Sequence, residues 1–329
     1  MNLKNTSILV TGAAGFIGSH LTEHLLNLGA NVRAFVRYNS GGHLGNLEYV
    51  KPLPDNLELF FGDLKNPDAA RAAMKNVDIV FHLASIVSIP YSYVNPREYF
   101  ENNVNFILNI LEAAKSLDTK SVVHISTSEV YGTAEQVPIP ESHPLKGQSP
   151  YSASKIAADM VAMSFYRSFD SPVTIIRPFN TYGPRQSERA VLPTIIAQAL
   201  SRKTVLLGDV RPTRDFNYVE DVVRGIVAAA NAGEKVFGEV INIGSGMEVS
   251  IKETADLIIE LTGSEAGVVF DALRVRPANS EVRRLCADAS KAKKLLGWKS
   301  EISLKEGLIQ TIEWYKQNHS EYSNIKGFV

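Results

Sequence analysis

Short apolar runs alternate with amphipathic stretches from residue 7 onward. Runs at Ile8 to Val10, Asn31 to Val36, Leu57 to Phe61, Ile79 to His82, Ser121 to Ile125 and Val173 to Arg177 are short and bounded by turn residues, as expected of strands covered on both faces. Between them, period-3.6 patterns predict helices at Phe16 to Leu28, Asp68 to Met74, Pro96 to Ser116 and Ser152 to Phe169. Strand and helix in alternation predict an α/β fold with a doubly wound parallel sheet, which binds ligands at the carboxyl ends of its strands. Functional residues are therefore expected in the loops after those strands.

Beyond about residue 178 the spacing loosens, with loops rich in Pro, Gly and Arg around Gly183 to Arg189, Gly208 to Asp215 and Arg274 to Arg284. Helices are predicted at Leu192 to Ser201, Val219 to Ala230, Ile251 to Thr262, Ser290 to Leu296 and Leu304 to Gln317, with an isolated strand at Glu239 to Ile243. The pattern reads as residues 1–177 forming the main domain and 178–329 a smaller C-terminal α/β lobe. That boundary is soft, because the chain can cross back between the two.

Composition supports this division. At 329 residues the chain exceeds the ~250 to 300 at which one core stops growing. Its 45% apolar and 21% charged residues exclude disorder and fibrous architectures. A net charge of −1 gives no bulk attraction to nucleic acid or an anionic membrane, so neither is an expected partner. No apolar run approaches the ~20 residues of a spanning helix. Met1 to Thr6 leads into a strand pattern without a signal-peptide core. The single cysteine, Cys286, cannot form an intramolecular disulfide and is expected in the core, consistent with a reducing, cytoplasmic setting.

Thr11-Gly12-Ala13-Ala14-Gly15-Phe16-Ile17-Gly18 joins the first strand to the first helix. Gly12, Gly15 and Gly18 allow a tight turn and close backbone approach to a pyrophosphate, while the amides of Phe16 and Ile17 open a helix whose N-terminus favours anions. In this strand–loop–helix setting the motif predicts a Rossmann-like dinucleotide site. An NAD site usually places Asp or Glu at the end of the second strand; here the chain reads Val36-Arg37-Tyr38-Asn39-Ser40. A carboxylate would repel a 2′-phosphate and Arg37 would pair with it, so NADP is favoured, with NAD as the alternative, and Arg37, Asn39 and Ser40 are expected at the cofactor. Asp63, after the third strand, is placed at the adenine edge.

Tyr151 and Lys155 stand four apart at a helix start, on one face and within reach of each other. A neighbouring ammonium stabilises a phenolate and so lets a tyrosine take a proton from a substrate hydroxyl. The seven histidines, His82 and His124 among them, show no metal-ligand spacing, and no metal is expected.

With these motifs in place, the chain resembles the extended short-chain dehydrogenase/reductase family over nearly its whole length. The matching residues are the Thr11 to Gly18 loop, His82-Leu83-Ala84-Ser85, Ser126-Thr127-Ser128-Glu129-Val130-Tyr131-Gly132, Tyr151 with Lys155, and Arg177-Pro178-Phe179-Asn180-Thr181-Tyr182-Gly183-Pro184-Arg185. Within it, Ser88 to Tyr93 and Gln148 to Lys155 are most similar to nucleotide-sugar 4,6-dehydratases of the legionaminic-acid-pathway type, which act on UDP-N-acetylglucosamine. The resemblance implies that Thr127 hydrogen-bonds the sugar 4-OH, Tyr151 is the base and Lys155 also contacts the nicotinamide ribose. It further implies that Leu64, Leu83, Ala84, Ser85, Asn103, Ser126 and Pro178 adjoin the cofactor. For the nucleotide sugar it implies Ser88, Tyr91, Asn180, Arg185, Arg214 and Arg276, with Val191 against the base and Glu281 at the ribose. Arg189, Arg211, Arg283 and Arg284 read instead as solvated or structural. A homodimer through a four-helix interface is implied as well.

Glu129 discriminates among the reactions of such a family. A 4-epimerase needs only the Tyr and a Ser/Thr, whereas a carboxylate two positions after Thr127 suits abstraction of the C5 proton made acidic by oxidation at C4. Water then leaves from C6 and hydride returns there. Where glucose-type dehydratases carry Asp-Glu, this chain has Ser128-Glu129, a pair shared with mannose-type dehydratases and with UDP-glucuronate decarboxylases. The expected activity is an NADP-dependent 4,6-dehydratase of a UDP-linked N-acetylhexosamine. The alternatives are an oxidoreductase or epimerase acting on a 5,6-unsaturated UDP-sugar, a UDP-glucuronate decarboxylase, a 4-epimerase, and a non-catalytic NADP-binding regulator.

Overall fold

The computed structural model describes residues 3–50 and 53–318. Seven parallel strands form the main sheet: β1 (Ser7–Thr11), β2 (Asn31–Arg37), β3 (Leu57–Gly62), β4 (Ile79–His82), β5 (Ser121–Ile125), β6 (Val173–Pro178) and β7 (Val240–Ile243). Their order is β7-β6-β5-β4-β1-β2-β3, so the winding reverses between β1 and β4 and opens a crevice at their carboxyl ends.

The continuous apolar runs follow from burial on both faces. Ile8 and Val10 enter one core and Leu9 the other; Val123 and Ile125 likewise oppose Val122, and Ile176 opposes Val173 and Ile175. On the first face pack α1 (Phe16–Asn27) and, much later in the chain, α7 (Val219–Ala232). The second face carries α2 (Pro67–Ala73), α4 (Pro96–Ser116) and α5 (Pro150–Phe169), with α4 lying along α5. A short α3 (Ile89–Val94), absent from the sequence expectation, precedes α4.

Glu239 to Ile243 does not make an isolated strand. It forms β7, which extends the main sheet beyond β6 with Val240 opposite Ile175. Between β6 and β7, α6 (Val191–Ser201) packs in the smaller lobe with α8 (Ile251–Thr262) and α10 (Leu304–Asn318), which follow β7, while α9 (Ser290–Leu296) packs on α7 and β7 at the main sheet. Among the described residues three small sheets lie outside the main one, in which Thr204–Leu207 pairs with Gly267–Phe270, Thr213–Arg214 with Val249–Ser250 and Arg284–Leu285, and Thr181–Tyr182 with Asn217–Tyr218. Cys286 is buried. Among the described residues no helix is long and apolar enough to cross a membrane.

Candidate active site

A cavity of about 1140 Å³ runs along the carboxyl ends of the strands, from the glycine loop to the smaller lobe. Gly12 has φ +70°, and a Cβ there would meet the Ala84 amide nitrogen at 2.8 Å. A Cβ on Gly18 would collide with the Gly12 carbonyl oxygen. Both positions thus require glycine, and the close packing aims the unbonded first amides of α1 at the cavity.

Gly12, Gly15, Phe16, Ile17, Gly18, Arg37, Asp63, Leu64, Leu83, Ala84, Ser85, Ser126, Tyr151, Lys155 and Pro178 all line this cavity. Three other expected cofactor residues do not. The Asn39 side chain closes its own loop, its Oδ1 accepting from the His43 amide and its Nδ2 donating to the His43 carbonyl, both at 2.9 Å. Ser40 is exposed, away from the cavity. Asn103 is buried behind the wall: its Oδ1 accepts from the Ile86 amide (2.8 Å) and its Nδ2 donates to Ser154 Oγ (2.9 Å), fastening the loop after β4 to α5.

The residues with chemistry meet where β5 ends. Thr127 caps the 3₁₀ turn Ser128–Tyr131, accepting from the Glu129 amide at 3.2 Å, and its hydroxyl also bonds the Tyr151 phenol. Ser149 caps α5 reciprocally with Ser152, and Pro150 occupies the first turn; this fixes Tyr151 and Lys155 one helical turn apart. Ser128 is buried, while Glu129 is half-buried and faces both Tyr151 and Arg214 electrostatically.

The electrostatics correct one expectation. Burial, then the charge of Glu129, pushes the Tyr151 phenol above its usual range, with only the Thr127 hydrogen bond opposing. Lys155 donates from Nζ to the Ile125 carbonyl at 2.7 Å, and burial pulls its ammonium down to about 8 against the attraction of Asp159. The lysine is therefore directed at the β5 terminus, and the phenol holds its proton at neutral pH in this state of the protein.

At the lobe end, Ser88, Asn180, Val191, Arg214, Arg276 and Glu281 line the cavity. Glu281 stands between the arginines, 3.2 Å from Arg214 and 3.6 Å from Arg276. Two expected contacts lie elsewhere. Tyr91 is exposed and donates to Glu98 Oε2 at 3.3 Å. Arg185 adopts a left-handed backbone (φ +66°) and pairs with Glu23 of α1 at 2.7 Å, stitching the lobe to the main domain. Arg189, read as solvated or structural, reaches the cavity wall together with Lys65 and Arg274, which the sequence did not single out. For Arg189 and Arg274 the only sequence signal is their position in irregular Pro/Gly-rich loops; Lys65 has a better one, following Asp63 and Leu64 at the carboxyl end of the third strand. Arg211 and Arg284 are surface residues paired with Asp209 and Glu248. Among the described residues no group of His, Cys, Asp and Glu is arranged to hold a metal ion.

A glycine loop at the winding reversal, a Tyr/Lys pair on α5 and an arginine-bearing lobe define a dinucleotide-dependent enzyme with room for a second, anionic ligand. Residues 9–311 match the GDP-mannose 4,6 dehydratase family. The chain belongs to the nucleotide-sugar 4,6-dehydratase/epimerase group of extended short-chain dehydrogenases/reductases, and is an enzyme of that kind. It is 34% identical over 320 residues to a dTDP-glucose 4,6-dehydratase of Streptomyces griseus, covering 96% of this chain and 95% of the relative. The dTDP-glucose 4,6-dehydratase DesIV of Streptomyces venezuelae, solved with NAD, superposes with a TM-score of 0.88 at 30% identity, covering 98% and 100% of the two chains. A Bacillus cereus UDP-glucuronic acid 4-epimerase, solved with UDP-glucuronic acid and NAD, gives 0.87 at 32% identity over 95% and 100%.

Proposed function

We propose that this enzyme is an NADP-dependent 4,6-dehydratase of a UDP-linked N-acetylhexosamine. The observation that carries the reading is Glu129, a carboxylate in the cavity wall two residues from Thr127 and facing Tyr151. The dinucleotide supplies the chemistry of taking hydride from C4 and returning it to C6. Thr127 orients the 4-OH, Tyr151 takes its proton, and Glu129 takes the proton from C5. Two protons thus leave the sugar, from O4 and C5, and two are needed, by the departing hydroxide and by C5 on hydride return. Ser128 is too weak an acid to provide the first, so Glu129 hands its newly gained proton to the leaving group.

A negative Glu129 beside C5 disfavours a uronate, whose C6 carboxylate would face it, and favours a neutral hydroxymethyl group. Arg214 and Arg276 supply the charge for a diphosphate. The likeness of Ser88 to Tyr93 and Gln148 to Lys155 supports the N-acetylhexosamine, and the UDP-sugar of the Bacillus cereus relative supports uridine. Incubated with UDP-N-acetylglucosamine and no added reductant, the enzyme should give a product lighter by one water in mass spectrometry. No loss across a panel of UDP- and GDP-hexosamines would refute the dehydration. Ser128 also favours a second reading, C4 oxidation of a sugar that has already lost water; turnover of the 5,6-unsaturated nucleotide sugar but not of its hydroxylated parent selects it.

The NADP assignment rests on Arg37, exposed on the cavity rim beside Gly62 at the end of β2, where no carboxylate stands. A charge-assisted contact of about 1.5–3 kcal/mol corresponds to roughly 10- to 150-fold in affinity. Arg37→Glu should weaken NADP binding by at least that factor while leaving NAD binding within a few-fold, measured by fluorescence titration. Equal losses for both dinucleotides would remove the assignment. The reading also includes a homodimer through α4 and α5, whose surfaces leave Phe100, Met160 and Phe169 exposed.

A further inference from the structure

Five strands end in a buried polar side chain on the face that carries α4 and α5: Thr11 on β1, His82 on β4, His124 on β5, Arg177 on β6 and Asn242 on β7. Their neighbours Leu9, Val80, Val122, Ile175 and Val240 on the same face belong to the apolar core. The register sets Thr11 opposite His82, His82 opposite His124, and Arg177 opposite Asn242. A row of polar groups inside an apolar layer is costly unless its members satisfy one another.

Most of them do so around a single anion, while the ring nitrogens of His124 and Asp159 Oδ1 stay without a hydrogen-bond partner. Asp159, one turn beyond Lys155 on α5 and fully buried, accepts from Arg177 Nε at 3.0 Å and from its terminal nitrogen at 2.8 Å. The Arg177 guanidinium also donates to Tyr131 Oη (3.0 Å), which in turn donates to Asn242 Oδ1 (2.7 Å). His124 Nε2 lies 3.6 Å from the other Asp159 oxygen and stacks on His82 at 5.4 Å, while His82 Nδ1 meets Thr11 Oγ1 at 2.8 Å.

We propose that Asp159 is a positioning residue: clamped by Arg177 one helical turn beyond Lys155, its buried carboxylate keeps the Lys155 amine charged and held at the β5 terminus, on the Ile125 carbonyl. This rests on the reading of Lys155 as the group beside the nicotinamide ribose and Tyr151. Of the titratable and charged groups around this site, Asp159 from its own helix acts on Lys155, which in turn acts on His82 from β4 and His124 from β5; Arg177 from β6 faces Asp159 and Tyr131 of the 3₁₀ turn, while Glu129 of that turn and Tyr99 from α4 face Tyr151. Both histidines are held neutral, His124 at about 4, because burial penalises their charged forms. Without Asp159 two cations, Arg177 and Lys155, would share a buried space, and the lysine is the one that can shed its proton.

The test follows reduced-cofactor fluorescence and turnover against pH. In the wild type both should fall as pH rises through about 8, where Lys155 loses its charge. Removing a nearby negative charge lowers a lysine further, so in Asp159→Asn both limbs should move down by about one unit or more, a loss of about fivefold or more at pH 8 with near-normal values at pH 6. Asp159→Glu should restore the wild-type limb. A variant that melts earlier yet keeps its limb at the wild-type pH, with a uniform loss at every pH, would show a merely structural residue and overturn the proposal. Should Asp159→Asn not fold, Lys155→Met decides: the alkaline limb of cofactor binding should vanish, and its persistence would overturn the idea. Because cofactor binding needs no sugar, failure of the dehydratase reading shows up separately, as absent turnover with an intact binding limb.

Discussion

Tyr151→Phe should lower turnover by about 10²- to 10⁴-fold, the range for loss of a general base, with melting temperature and cofactor affinity close to wild type. The substitution keeps the ring, which packs edge-on to Tyr99 at 6.1 Å, and removes only the hydroxyl that bonds Thr127. A net loss of about 1 kcal/mol is expected from that hydrogen bond, too little to unfold the chain. The chemical effect is far larger because, on the proposed reading, the phenolate formed from this hydroxyl accepts the O4 proton. Burial and Glu129 both hold the phenol protonated in the free protein, so its activation would draw on Lys155 and on the positive charge that a bound oxidised nicotinamide would supply. Steady-state rates on the sugar panel, paired with thermal melts, measure the outcome. A phenylalanine enzyme that kept more than a tenth of wild-type turnover would put the base elsewhere.

Glu129→Gln should divide the reaction in two. The amide matches the carboxylate in shape but cannot take the C5 proton, so dehydration is expected to fall by about 10²- to 10⁴-fold while oxidation at C4 continues. Reduced nicotinamide should therefore accumulate on the protein, visible in its near-ultraviolet absorbance, and exchange of the C5 proton with deuterated water should cease. Arg214 keeps Glu281 as its partner at 3.2 Å, so the variant should fold normally. Dehydrated product at the wild-type rate would remove Glu129 from the chemistry; loss of C4 oxidation together with dehydration would assign it to substrate binding.

The strands β1 to β6 are legible in the sequence to within a residue or two because each is a short, largely apolar run bounded by turn residues, written by burial on both faces in the central strands and mainly by one face in the outer pair β2 and β3. β7 has the same signature, but its neighbour is chosen across more than sixty residues of crossover between Pro178 and Val240, and nothing local announces it. The glycine loop and the α5 face are legible because steric exclusion at Gly12 and Gly18 and the four-residue spacing of Tyr151 and Lys155 are local constraints. The lobe is not. Arg185 and Arg189 sit in one irregular loop, yet one pairs with α1 and the other reaches the cavity, a difference set by backbone direction rather than residue type. Asn39 and Asn103 mislead for a related reason: an amide side chain serves equally well to close a turn or to brace a wall.

Glu281 changes how the nucleotide end of the cavity should be pictured. With its carboxylate between Arg214 and Arg276, the pocket is partly self-neutralised, so on the proposed reading a diphosphate would enter by exchanging one anion for another instead of settling onto waiting cations. A small monoanion cannot displace a tethered carboxylate from two arginines at once, whereas a diphosphate spans both and its ribose hydroxyls offer Glu281 new donors. Departure runs the same exchange backwards: the carboxylate reclaims the arginines, so tight recognition of the nucleotide does not have to mean slow release of the product.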